Sequence, residues 1–415
     1  MDHSSHSCLV YDQGLFVEIA ATLSKSFGKV YYFMPWVSAF PKSNSLLVGK
    51  GMPNVERVDD IWNVNPDLWV FPDVYDGGLQ IHLEELGKRV WGSRMGEELE
   101  LYRPESKHFL KSTGFSVGKY GVVCGLDALR KALKAKDNVW VKISRTRGDM
   151  ETFYSSNYKN IEPRLDELEH VLGAKKKNMK FVVEASIEDA VEIGYDGYSI
   201  DGKFPGSAMV GIEVKNKGYL GHFQKSSDMP EQIQKINNMM APALKEFGYK
   251  NFFTIEARIT KDGTPWVIDP CCRFGSPPGE LVQLMYTNLA DIFWHGAEGE
   301  LIDPVPAGEW GAELLIHSSW ADKNWLAVHF PESIRDSIKF RNFTIIDGEY
   351  YIVPQSVGLS EIGAIVAVGK TSEEVSDKVQ KLAAQVEGYV LDVFPDSLQE
   401  ADKEIAKLKE YGIEL

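Results

Sequence analysis

Cysteine is scarce in this chain, with four among 415 residues. That is too few for a disulfide framework at this length and points to a reducing, cytoplasmic setting. Long apolar runs are missing too: none reaches the roughly 18–20 residues that a membrane span needs. The opening "MDHSSHSCLVYDQG" has no basic segment leading into an apolar core, so a secretory leader is not expected there. Its His3 and His6 read as part of a frayed polar terminus rather than a metal site. Positive charge is in deficit, 45 Lys and Arg against 60 Asp and Glu, for a net charge of −15. That argues against nucleic acid or an anionic membrane surface as the main partner. The densest basic run, "LGAKKKNMK" (172–180), reads as a solvated loop or helix end. There is no internal repeat and no low-complexity tract.

What is present is an ordinary globular composition, 44 % apolar and 25 % charged, over a length that calls for two or three domains. Residues 1–95 alternate strand-like runs ("CLVY", "KVYYFMP", "DLWVFPD", "RVWGS") with helical ones ("LFVEIAATLSKSF", "GLQIHLEELGK"). This rhythm predicts a parallel α/β sheet, whose ligands bind beyond the carboxyl ends of the strands. Asp73 and Asp76 follow one such strand and are candidate substrate-binding residues. Residues 96–300 change character, with strands such as "NVWVKIS", "KFVVEAS" and "NFFTIEARIT" and a long helix in "MPEQIQKINNMMAPALKEFG". After a Pro/Gly stretch, "ELIDPVPAGEWG", residues 301–415 offer a hairpin, a strand and an amphipathic helix, the pattern of a small α+β domain. The charged tail after it reads as a surface helix.

"GAIVAVGKTS" invites a phosphate-loop reading, but five residues rather than four separate Gly363 from Gly369, and the run between them is a strand. The stronger signal is "FFTIEARITKDGTPWVIDPCCRF". Asp-Gly favours a two-residue type I′ turn between the flanking alternating runs. Pairing Lys261 with Thr264 places Glu256 directly opposite Asp269, with side chains on one face. Two carboxylates that close repel each other unless one is protonated or a divalent cation sits between them, and the register favours the cation. The same parity puts Cys271 and Arg273 on the carboxylate face and Cys272 in the core. Arg273 can clamp a phosphoryl or carboxylate group, or form an ion pair with one of the acids.

These motifs resemble the ATP-grasp ligases, and among them glycinamide ribonucleotide synthetase (phosphoribosylamine–glycine ligase), across nearly the whole chain and with wide divergence. "SKHFLK" (Ser106, Lys107, Lys111) resembles the family's helix with a Ser-Lys pair. "VWVKIS" resembles the strand carrying its nucleotide lysine, here Lys142. "VVEASIEDAVE" offers Glu184 at the hinge and Glu192 for the ribose. Glu256, then Asp269-Pro-Cys271-Cys-Arg273, resembles the metal motif Glu, Glu-x-Asn-x-Arg, and "CRFGSPPGE" the loop at the substrates. The resemblance implies an N-terminal substrate-side domain (1–95), an ATP-grasp domain (96–300) with a lid at about 118–186, and a C-terminal α+β domain (301–415). It implies ATP and Mg2+, or Mn2+ in its place, with Glu256, Asp269 and Cys271 as metal residues and Arg273 as the catalytic cation. It implies an acylphosphate that an amine displaces, so a small-molecule carboxylate and an amine are the partners.

The chain departs from the family at three places. The glycine-rich phosphate loop is replaced by "SRTRGDMETFYSSN", where side chains of Arg145 and Arg147 stand in for backbone amides or the loop reads a different substrate. Cys271, a soft ligand, replaces the metal-site Asn. Ser276 and Pro278 replace an Asp and a Glu at the substrate loop, which points away from glycine and phosphoribosylamine as the pair. Beside the ligase stand two other readings, a nucleotide-binding relic without activity and a small-molecule kinase. The sequence leaves the oligomeric state open.

Overall fold

The computed structural model describes residues 1–35, 45–145, 152–354 and 360–415. Among them, β1 (Ser7–Tyr11), β2 (Lys29–Phe33), β3 (Val55–Arg57), β4 (Leu68–Val70) and β5 (Val90–Trp91) form a parallel sheet in the order β3-β2-β1-β4-β5. Its crossovers include α1 (Val17–Leu23) and α2 (Gly77–Glu85). β1 and β4 are buried along almost their whole length, as continuous apolar runs in parallel sheets must be. The three-residue β3 carries no alternating run and was not legible. The N-terminus is not frayed as expected. His3 is buried, stacks on Phe27 at 4.8 Å between centroids and pairs with Asp291 at 2.9 Å, while the terminal ammonium reaches the same carboxylate.

Two short helices, α3 (Glu98–Leu101) and α4 (Arg103–Ser112), lead into a second, antiparallel sheet. It is built from β6 (Tyr120–Cys124), β7 (Val139–Ile143), β8 (Thr152–Ser155) and β9 (Lys180–Ala185), in the order β6-β9-β7-β8. α5 (Leu126–Lys134) and α6 (Tyr158–Leu172) cover one face, and Leu129, Leu133, Leu165 and Leu168 meet Val141 and Phe181 in a core of their own. That separate core sets this unit, the expected lid, apart from the rest.

The third sheet is larger. β10 (Ala190–Ile200), β11 (Ser207–Val214), β12 (Gly218–Lys225), β13 (Lys250–Thr260), β14 (Pro265–Cys271), β15 (Trp310–His317), β17 (Ile338–Phe340) and β20 (Glu361–Gly369) run in the order β14-β13-β10-β11-β12-β15-β20-β17. The short β22 (Asp392–Val393) pairs with β15. α7 (Glu231–Glu246), α8 (Gly279–Met285), α9 (Leu289–Ala297), α10 (Ser372–Ala383) and α11 (Ser397–Leu408) pack around it. β16 (Leu326–His329), β18 (Phe343–Ile346), β19 (Glu349–Ile352) and β21 (Glu387–Gly388) form the last, four-stranded sheet. The large sheet crosses the 300/301 boundary, because Gly218–His222 of β12 pairs with Trp310–Leu314 of β15. The Pro/Gly stretch therefore joins parts of one sheet. Among the described residues, no helix is long and apolar enough to cross a membrane.

A row of glycines crosses this sheet. Gly194 pairs with Gly211, Gly211 with Gly221 and Gly221 with Gly311, and the row ends at Glu256, the partner of Gly194 on β13. Without side chains the row is a furrow. The Tyr219 ring lies in it over Gly211 and Gly221 and donates its hydroxyl to the buried Asp196. Beside Gly194 the furrow stays open and forms a hollow of about 40 Å³. A Cβ at Gly211 would sit 2.2 Å from the Tyr219 hydroxyl oxygen, so Gly211→Ala is expected to lose about 1–3 kcal/mol of stability through overpacking. Urea unfolding checks this, and an unchanged midpoint would rule out the packed furrow.

Candidate active site

The β13–β14 hairpin builds the centre of the site, by a route different from the expected one. The turn is not a two-residue type I′. It is a three-residue loop, Lys261–Gly263, in which only Gly263 takes positive φ (+78°). Asp262 closes it through its side chain, accepting from Thr260 Oγ1 (2.6 Å) and from the Thr264 amide (3.1 Å). This loop moves the register by one, with Ile259 opposite Pro265. A β-bulge then moves it back, since Ala257 faces Val267 but Glu256 faces Asp269. The two carboxylates are thus neighbours across the hairpin.

The extra residue in the bulge is Ile268. A bulge frees backbone groups from the ladder and re-aims them. Here the Ile268 carbonyl accepts from Lys107 Nζ (2.6 Å) and Lys142 Nζ (3.1 Å). Lys107 comes from α4 and Lys142 from β7 of the lid sheet. Glu184, at the end of β9, spans the same two ammonium groups at 2.8 and 3.0 Å. Lys142 also pairs with Asp269 at 2.8 Å, and Arg103 reaches the other Asp269 oxygen at 3.0 Å. Lys107, Lys142, Glu184 and Arg103 are all buried. Burial brings Lys107 down to about 8, with Lys142 adding to the effect. Burial would also lower Lys142, but Asp269 and Glu184 outweigh it and hold it above the usual lysine value. Burial works against the Asp269 anion, yet Lys142, Arg103 and Lys107 keep its carboxyl well below the usual range.

A cleft of about 700 Å³ opens on this network. Lys142, Glu184, Glu192, Glu256, Asp269, Cys271, Arg273 and Ser276 line it, together with Trp140 and Tyr154 of the lid. Lys107 reaches the same network from beneath. Cys272 points away and is fully buried, and Cys271 stands opposite Thr254 in the ladder. Arg273 makes an ion pair with Glu100 (2.8 Å). Glu100 also accepts from the Cys272 amide at 2.8 Å. Ser276 donates to Glu280 (2.9 Å) and accepts from Arg341 (2.6 Å), which pairs with Glu361 on the cleft wall.

Other expected residues lie elsewhere. Asp73 and Asp76 sit past the carboxyl end of β4, as the α/β pattern implied, but they do not line this cleft. Burial raises Asp76 to about 6 despite a hydrogen bond from Tyr11, and nearby Glu97 accepts the Tyr75 and Gly77 amides. Arg145 stacks over Tyr102 at 5.1 Å, off the cleft wall. Arg147 lies outside the described residues. Sequence reasoning missed Glu100 and Arg103. Their spacing with Lys107, three and then four residues, is helical and could have flagged them. Asp196, Glu213, Glu361 and Arg341 carried no such local signal.

The far side of the cleft gathers carboxyls, with Lys215 and Arg258 among them. Burial raises Glu192 to about 7, with Glu256 adding to it. Burial raises Glu213 to about 8, where Lys215 opposes and Glu256, Glu192 and Glu361 add. Burial raises Asp196 to about 7, against the Tyr219 hydrogen bond and with help from Glu256. Among the described residues, no group of three or more His, Cys, Asp or Glu side chains is placed to hold a metal. The Glu256–Asp269 pair does not make a protein-only cage. It fits a hard cation that arrives with phosphate oxygens, for which one or two carboxylates suffice.

The lid sheet and large sheet that bound this cleft, together with the parallel sheet, make the ATP-grasp fold. In particular, the chain is similar to the phosphoribosylamine–glycine ligase of Thermotoga maritima, at TM-score 0.70 and 16 % identity over 93 % of this chain and 98 % of that one. It is similar to the L-amino acid ligase of Bacillus licheniformis (0.62, 15 %, 92 % and 98 %). It is also similar to the biotin carboxylase domain of Hydrogenobacter thermophilus 2-oxoglutarate carboxylase, a complex with MgADP, ADP and bicarbonate (0.66, 14 %, 98 % and 95 %). No protein-family model and no curated protein matches the sequence.

These raised carboxyls have a consequence for stability. Carboxyls raised to between about 7 and 8 keep protons in the folded state that the unfolded chain releases near pH 4–5. From there up to about pH 8 the native state binds more protons, so these groups make stability fall as pH rises. In metal-free protein, Glu213→Gln is therefore expected to flatten the decline in melting temperature between pH 5.5 and 8.5. A decline parallel to wild type would reject the raised carboxyl.

Proposed function

We propose that the protein is an ATP-dependent carboxylate–amine ligase that forms an amide through an acylphosphate. Its substrates are an amino acid and an amine other than the glycine–phosphoribosylamine pair. The observation that carries this reading is the convergence of Lys107, Lys142 and Arg103 on one bulged strand, beside the Glu256–Asp269 pair. Three buried cations gathered at one point suit an incoming phosphate chain. In this reading Lys142 exchanges Asp269 for phosphate oxygens, Lys107 reaches the same oxygens, and Glu184 keeps both lysines aimed. Arg273, held by Glu100 on the cleft wall, faces the group being transferred. Ser276 faces the substrates, its position set by Arg341 and Glu280. Glu256 and Asp269 would hold Mg2+, which when bound neutralises charge on the phosphates. The lid supplies Trp140 and Tyr154 for the base, and closing it excludes water that would destroy an acylphosphate.

The test is purified protein with Mg-ATP, scored for ADP and phosphate release against a matrix of amino acids and amines. Turnover that needs both a carboxylate and an amine is expected. Turnover with a hydroxyl acceptor alone would instead indicate a kinase. Asp269→Asn is expected to lower the rate by at least about 100-fold, since it removes a fixed charge at the transferring group. A wild-type rate in that variant would sink the assignment of Asp269.

A further inference from the structure

The C-terminal helix α11 enters the cleft. The tail is more than a surface helix: Leu398, Ala401 and Leu408 are buried, and α11 lies across β10, β11 and β12. This anchoring brings Glu404 and Lys407, one helical turn apart, to the cleft wall, where they pair at 3.6 Å. Two similar pairs share that end of the cleft. Glu213 and Lys215 lie 3.8 Å apart, and Glu192 faces Arg258 across the β10–β13 ladder. The two ends of the cleft therefore differ in kind. At the β14 end Lys107, Lys142, Arg103 and Arg273 gather around the bulged strand, which suits phosphate. At the α11 end each acid has a cation beside it, so the wall carries many donors and acceptors but little net field. A neutral polyhydroxyl group is what such a wall recognises.

We propose that α11 closes the sugar end of the cleft, with Glu404 and Lys407 forming the outer wall against the ribose hydroxyls of the nucleotide. This rests on the reading of the cleft as a nucleotide site. A segment more than 120 residues beyond the hairpin would then contribute to nucleotide affinity.

Isothermal titration of the full chain with MgADP, and separately with tripolyphosphate, tests the proposal. Glu404→Ala combined with Lys407→Ala is expected to weaken MgADP about 10-fold, the loss of one or two hydrogen bonds, and to leave tripolyphosphate binding unchanged. Both side chains are about half exposed, so the melting temperature should hold. Lys403→Ala, exposed and off the cleft, should behave as wild type. Unchanged MgADP affinity in the double variant overturns the proposal, as does an equal loss of tripolyphosphate binding. Failure of the wild-type protein to bind MgADP overturns the nucleotide reading itself, and this inference with it.

Discussion

Everything about the site depends on one buried charge network, in which Lys107, Lys142, Arg103, Glu184 and Asp269 close around the bulged carbonyl of Ile268. Its members come from α4, the lid strands β7 and β9, and β14, so it ties three parts of the fold at one point. Charges this deep persist only when paired, and removing one partner of such a pair typically costs about 3–5 kcal/mol. The network therefore sets where the lid meets the large sheet. The bulge is the smallest part and the decisive one. Without the extra residue the Ile268 carbonyl would stay in the ladder, and the two lysines would share Glu184 alone.

The opposite wall works by the reverse logic. The glycine furrow lets Tyr219 lie flat and bury Asp196, and leaves a hollow beside Gly194 rimmed by Glu192, Glu213 and Glu256. Glu192, Glu213 and Asp196 are pushed upward because burial and the neighbouring carboxylates disfavour their charge.

The hairpin shows how legibility and its limits combine. The Asp-Gly turn and the alternation around it implied that Glu256 faces Asp269, and it does. The turn type behind that inference was different, and the pairing survives because a three-residue loop and a bulge shift the register in opposite senses. Alternation shows which residues share a face, but an inserted residue in a short strand leaves no mark on composition. Glu100 and Arg103 were missed for a related reason. They sit in a polar, interrupted helical stretch that reads as surface, and only contact with Asp269 and Arg273 turns them inward. His3 was taken for a loose end because a polar terminus has no local cause to bury, and its cause is remote: Phe27, Trp294 and Asp291.

The chain by itself determined the parallel α/β start, the lid lysine on a strand, the acid pair of the hairpin and the core position of Cys272, because each follows from spacing within a few residues. The tertiary structure alone decided that Lys107 and Lys142 share a carbonyl with each other and acids with the lid. It alone decided that Arg273 belongs to Glu100, that Asp73 and Asp76 stand off the cleft wall, and that the last helix reaches the cleft. Those facts join residues tens to hundreds of positions apart, and such pairings are selected by burial and charge compensation in the folded state, which no local pattern encodes.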